Sequence, residues 1–322
     1  MPDLREQLVK YLTDAHSIEV QALQQLRLAP RIAGEPGLRS ALAAHAGETE
    51  RHERLVRARL AAHGAAPSRG KDVVMRVGGV GFVVFAAVQP DTPGKLAAHA
   101  YSYEHLEAAS YELLARVAAQ AGDDETERTA REILAEEQAM GARIEELFDA
   151  TADASLRSGG DGDLRNRLRK YLADAHALEA QAETLLARAP KIAGDDELAR
   201  VYEKHLDETR THMQIVDARL AALGGDNSTP KDAALRAGAL HWGAFFRAHP
   251  DTPGKLAAFT YAFEHLEIGG YLQLRRVAGR AGETAAVADA ERILGEERNA
   301  ADAIAALFDR AAQASFDAVG AA

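Results

Sequence analysis

The chain has 322 residues and a formal net charge of −11, which is length enough for two ordinary domains and the wrong sign for a nucleic-acid or anionic-membrane partner. It contains no cysteine, which removes disulfides, thiolate metal sites, iron–sulfur clusters and cysteine nucleophiles together. Hydrophobic residues make up 47% and aromatics only 6%, a globular composition that favours helix over sheet.

The opening MPDLREQLVK is charged and amphipathic rather than signal-like, so a cytoplasmic protein is expected. A first helix (A) is predicted from about Leu4 to Leu28, stopping before Pro30. Helix B is predicted from Pro36 to about His63, closed by Gly64. The apolar run Val73–Val88 contains Arg76 and three glycines and is too short to span a bilayer, which needs about 20 apolar residues. It reads instead as a short extra helix within a long crossover. Helix C starts at Asp91–Thr92–Pro93, a capping residue followed by proline, and ends before Gly122. Helix D runs from about Asp124 to Asp149.

From there the sequence repeats at an offset of 160: KYLTDAHSIEVQA at Lys10 returns as KYLADAHALEAQA at Lys170, and DTPGKLAA at Asp91 returns at Asp251. The expected organisation is one domain over 1–157, a flexible linker over 158–162 and a second domain over 163–322. Short A–B and C–D loops make antiparallel hairpins, and helices of roughly 40 Å need a long B–C connection to cross back. The expected fold class is all-α: two tandem ferritin-like four-helix bundles. The apolar crossovers, with Trp242, Phe245 and Phe246 in the second copy, suggest that the repeats pair as an internal pseudo-dimer, with further homo-oligomers open.

Each helix places acid in its apolar stripe: Glu19 in A, Glu48 and His52 in B, Glu104 and Glu107 in C, and Glu137 in D. All lie about 11 to 15 residues from their helix starts, so they meet at one level of the bundle. Their counterparts are Glu179, Glu208, His212, Glu264, Glu267 and Glu297. Further candidates are His45 and His205, and His16 with His176; His63, His99, His241 and His249 have no partner at the 160 offset. Glu136 and Glu296 read as surface charges. Buried carboxylates at one level require neutralisation, and oxygen ligands with imidazole suit iron or manganese, with zinc a third option. At most two ions per repeat are expected.

TDAHSIEVQAL, HAGETERHERL, EHLEAASYELL and ILAEEQAM, in that order, resemble the YciF-type (YciE/YciF) stress proteins, a branch of the ferritin-like superfamily. The resemblance covers each half nearly end to end. It implies a tandem pair of four-helix bundles, a two-metal centre and a link to stress response. The related rubrerythrin pattern carries Glu-x-x-Glu on helix C, matched by Glu104–Glu107, and Glu-x-x-His on B and D. There the sequence departs: Arg51 and Thr211 stand three places after the helix B glutamates, and Met140 and Ala300 after the helix D ones. Helix D is thus expected to supply a carboxylate and no imidazole.

Two functions follow. One is a carboxylate-bridged di-iron or di-manganese protein that binds Fe²⁺ and reacts with dioxygen or peroxide, with Tyr111 or Tyr271 as an electron relay. The other is a metal-free bundle that acts through protein contacts.

Overall fold

The computed structural model describes residues 4–68, 91–158, 163–225 and 252–320, and the chain divides into two compact units, Met1–Ser158 and Gly159–Ala322. The first unit contains α1 (Leu4–Leu28), α2 (Pro36–Ala62), α3 (Thr92–Ala121), α4 (Asp124–Glu145) and α5 (Phe148–Ser158). The second contains α6 (Leu164–Leu186), α7 (Asp196–Ala222), α8 (Thr252–Ala281), α9 (Thr284–Ala305) and α10 (Phe308–Gly320). Every regular element among the described residues is helical. The apolar run Val73–Val88 and its counterpart with Trp242, Phe245 and Phe246 lie outside the described residues.

The helix boundaries follow from local chemistry. After the turn at Pro30, Glu35 caps α2 by accepting the Leu38 N–H at 2.5 Å, and Pro36 occupies the first turn, where its missing donor costs nothing. Gly34 takes φ +67°, and a Cβ there would stand 2.8 Å from Pro93 Cγ, so the α1–α2 turn can seat against the start of α3 only with glycine. Gly122, at φ +70°, terminates α3, and Asp123 caps α4 through the Thr126 N–H at 3.0 Å.

In the first unit α1 packs on α2 and α3, and α4 on α3 and α2. The four long helices thus form a square in which α1 faces α4 across the core and α2 faces α3. The same square recurs with α6, α7, α8 and α9. These are two helical bundles in tandem, each with a long connection between its second and third long helices.

The fourth helix is shorter than the sequence suggests. No glycine or proline separates Glu145 from Phe148, yet α4 closes there and the chain restarts as α5, which packs on α3. Burial of Phe148, edge-on to Tyr101 at 5.3 Å, favours the turn. Ser155 then accepts the Gly94 N–H at 2.9 Å, satisfying one of the donors that the first turn of α3 leaves open. Ser315 repeats this with Gly254 at 2.8 Å. Replacing Ser155 with alanine should therefore cost about 1–2 kcal/mol, a drop of a few degrees in the melting temperature of the first bundle. Calorimetry on Ser155→Ala checks this, and a melt identical to wild type would make the contact incidental.

Candidate metal centre

The inner face of α2 carries Leu38, Leu42, His45, Thr49, His52, Val56 and Leu60, all buried. This is a spacing of three and four residues that keeps one side toward the core. Opposite it, α1 contributes Glu19, α3 contributes Glu104 and Glu107, and α4 contributes Glu137, every one of them buried. Two clusters result in the first repeat: His45 with Glu104, Glu107 and Glu137, and His52 with Glu19 and Glu137, each with candidate ligand atoms within 4.8 Å of one another. Glu137 belongs to both. The second repeat reproduces them as His205, Glu264, Glu267 and Glu297, and His212, Glu179 and Glu297.

The contacts are specific. His45 Nε2 lies 3.0 Å from Glu104 and 3.2 Å from Glu137, and its Nδ1 is 2.8 Å from Glu48. His52 Nδ1 lies 2.8 Å from Glu137 and 3.8 Å from Glu19, and its Nε2 is 2.7 Å from Glu136. In the second repeat His205 Nε2 is 2.7 Å from Glu264, and His212 Nδ1 is 2.9 Å from Glu297. The Tyr271 hydroxyl donates to Glu179 at 2.5 Å, and Tyr111 donates to Glu19 in the same way.

Each ring nitrogen of His45 and His52 faces a carboxylate, which favours the imidazolium form without metal. Burial opposes that charge on His52, but the Glu137 hydrogen bond and the Glu19 charge prevail and lift its pKa to about 9. His45 is raised as well: burial opposes it and the Glu104 charge wins. Glu137 answers them: burial would raise it, yet hydrogen bonds from His45 and His52 bring it down to about 2. The other carboxylates move up. Burial, then the Glu137 charge, lifts Glu19 to about 8. Burial lifts Glu104 to about 7 against the pull of His45, and holds Glu107 well above the usual range, reinforced by Glu137. Glu107 and Glu267 are the extreme case: among the described residues neither has a hydrogen-bond partner or an ion pair, whereas Glu137 and Glu297 each face two histidine rings.

The sequence-predicted residues divide accordingly. Glu19, His52, Glu104, Glu107 and Glu137, and Glu179, His212, Glu264, Glu267 and Glu297, come together. Glu48 and Glu208 do not: Glu48 lies at the edge of the α2 stripe, its side chain 40% exposed, and accepts from His45 on the side away from the core. Glu208 stands 3.4 Å from His205 in the same role. His45 and His205, secondary candidates by sequence, lie in the clusters instead. His16 and His176 stand apart from them, on Glu53 at 2.9 Å and Asp217 at 2.7 Å. Glu136, 34% exposed, and Glu296 are not bystanders, since each takes the outer nitrogen of a cluster histidine at 2.7 Å. Each repeat thus gathers two histidines and four glutamates, with both histidines on one helix. The seven-residue spacing of His45 and His52, in phase with Leu38 and Val56, is the signal that sequence reasoning passed over.

Tandem helical bundles whose cores carry His/Glu clusters able to hold metal ions are the class of protein that fold and site define. The chain belongs to the family described as Domain of unknown function (DUF892), whose model matches residues 3–157 and again 163–316, one match per repeat of a tandem duplication. No solved structure matches it. Among the described residues no helix is long and apolar enough to cross a membrane.

Proposed function

We propose that each repeat is a carboxylate-bridged two-metal centre for iron or manganese, with zinc a weaker fit, and that the protein works in oxidative or metal-stress chemistry. The observation that carries this reading is Glu107, with Glu267: a buried carboxylate with no hydrogen-bond partner among the described residues, facing a second carboxylate and an imidazole. Burying such a group without a partner costs several kcal/mol, and a cation would relieve it. The donor set, oxygen-rich with one imidazole per cluster, suits octahedral iron or manganese.

His45, Glu104 and Glu107 would hold one ion, His52 and Glu19 the other, and Glu137 would bridge. Such a pair supplies redox and Lewis-acid chemistry toward dioxygen or peroxide. The chain's own residues prepare the site. Glu48 and Glu136 hold the outer nitrogens of His45 and His52 as donors, which leaves the inner nitrogens with lone pairs once deprotonated. Tyr111 fixes Glu19 by donating to the same carboxylate oxygen that faces His52. The buried surround of Ile133, Leu114 and Met140 keeps bulk water away.

Elemental analysis of freshly purified protein tests the proposal. About two iron or manganese ions per repeat are expected. Protein that holds none, and whose melt is indifferent to added Fe²⁺ and Mn²⁺, would leave the metal-free interaction bundle as the reading.

A further inference from the structure

The two repeats differ beside the centre. In the first, a cavity of about 20 Å³ is bounded by Gln25, Leu42, His99, Ala100, Tyr103 and Glu104, among others. It reaches from the level of His99 to that of Glu104, about 7.5 Å along α3. His99 is half-buried and the other lining residues are buried, so the cavity comes nearest the surface at His99 and has Glu104 at its inner end. A water needs about 10–15 Å³, so the cavity has room for one.

Its polar lining is incomplete. His99 Nε2 and Gln25 Oε1 are 3.2 Å apart, and the buried Gln25 Nε2 has no hydrogen-bond partner among the described residues. Turning the amide over leaves the oxygen orphaned instead. One guest that donates and accepts would satisfy Gln25 and reach toward Glu104. The enclosed lining of Ala, Leu and Tyr side chains would strip an ion of its water, so the cavity favours an uncharged guest.

At the 160 offset these positions change together: Gln25 becomes Leu185, Leu42 becomes Tyr202, His99 becomes Phe259, Ala100 becomes Thr260 and Tyr103 becomes Phe263. The polar mouth turns apolar and the small throat turns large. Tyr202 is fully buried, with its hydroxyl 3.3 Å from Oγ1 of Thr260, the residue that stands where the first repeat has Ala100. Phe259 and Phe263 pack with ring centres 6.3 Å apart where His99 and Tyr103 stand in the other copy.

We propose that the first repeat has a binding pocket for a water-sized, uncharged, hydrogen-bonding molecule, which gives access to Glu104, and that Tyr202 with Thr260 plugs the same pocket in the second repeat. The pocket itself stands on the lining; its role as access to a metal centre rests on the function proposed above. The two centres are then unequal, one open to small solutes and one sealed.

Two measurements test this with water as the probe. A high-resolution crystal structure of the metal-free protein should show an ordered water between Gln25 and Glu104, and none beside Tyr202. Water-proton relaxation of Mn²⁺-loaded protein, normalised to bound manganese, should collapse in Leu42→Tyr/Ala100→Thr. It should rise about twofold in Leu185→Gln/Tyr202→Leu/Phe259→His/Thr260→Ala, which gives the second repeat the lining of the first, because the two repeats contribute independently. If the plugged variant does not fold, Gln25→Leu replaces it and should lose the ordered water. A dry pocket in the crystal overturns the proposal, as does relaxation that neither variant moves. Protein that binds no manganese defeats the metal reading instead, and the crystal alone then decides the pocket.

Discussion

Replacing Glu137 with glutamine should empty the first repeat of metal while the second stays loaded, so that metal per chain falls by about half. Glu137 is the carboxylate common to both clusters, with His45 on one oxygen and His52 on the other. A glutamine amide keeps the shape but offers one neutral oxygen and a donor group, so it can bridge nothing. Glu19→Gln touches only the His52 cluster, and its loss should be half as large, since Glu104, Glu107 and Glu137 stay in place around His45. Metal counted by elemental analysis, on variants whose helical content matches wild type, separates these cases. Equal losses from the two variants would mean that the clusters fill only as a unit. Loss from both repeats would mean that the units are not independent.

The metal-free protein should lose thermal stability as the pH rises from about 5 to about 9. Glu19 and Glu104 titrate near 8 and 7 in the folded chain against an ordinary value of 4.5, and His52 near 9 against 6.5. In the second repeat Glu179, Glu264 and His212 move to about 6, 8 and 10. A group whose folded pKa is raised binds protons more readily in the fold than in the unfolded chain. Its contribution is complete below the unfolded value and is lost as the pH climbs through the folded one. Glu137 has the opposite sign, but its contribution is lost only as the pH falls toward about 2, outside this window. A drop of roughly 5 °C or more is expected across the range. Added Mn²⁺ should reverse the slope, because the same residues must shed protons to bind it and binding stabilises the fold. Melts with and without Mn²⁺ at three pH values decide this. A flat profile in both would show carboxylates that are solvated rather than clustered.

The architecture was legible because each long helix carries a long apolar stripe and its ends carry proline, glycine or a capping acid, as at Pro36, Gly122 and Asp123. The level of the site was legible for the same reason, since Glu19, Glu104, Glu107 and Glu137 interrupt those stripes at similar depth. The second helix misled because a Glu-x-x-His template drew attention to Glu48. The three-and-four spacing through Leu38, Leu42, His45, Thr49, His52 and Val56 instead puts both histidines inside and leaves Glu48 at the edge. The break before α5 has no local signal at all: Glu146 and Leu147 are ordinary helix formers, and only the packing of Phe148 and Ser155 on α3 rewards the turn. Glu136 was read as a surface charge, and a one-dimensional pattern does not distinguish an idle carboxylate from one that holds His52.

The salt links of His16 and His176 carry a consequence for how such duplicated chains diverge. His16 rests on Glu53, which Arg57 also holds; in the other copy position 213 is methionine, and the acid reappears one turn later as Asp217, at the position of Arg57. Compared column by column, 53 with 213 and 57 with 217, the copies look unrelated, one pair having lost a charge and the other having reversed it. Seen from the imidazole, the partner is kept: a carboxylate oxygen sits within 3 Å of a ring nitrogen in both copies, Nε2 in His16 and Nδ1 in His176. What the two copies share is an acid beside the ring, and the chain has been free to move its source by a helical turn and its contact from one ring nitrogen to the other.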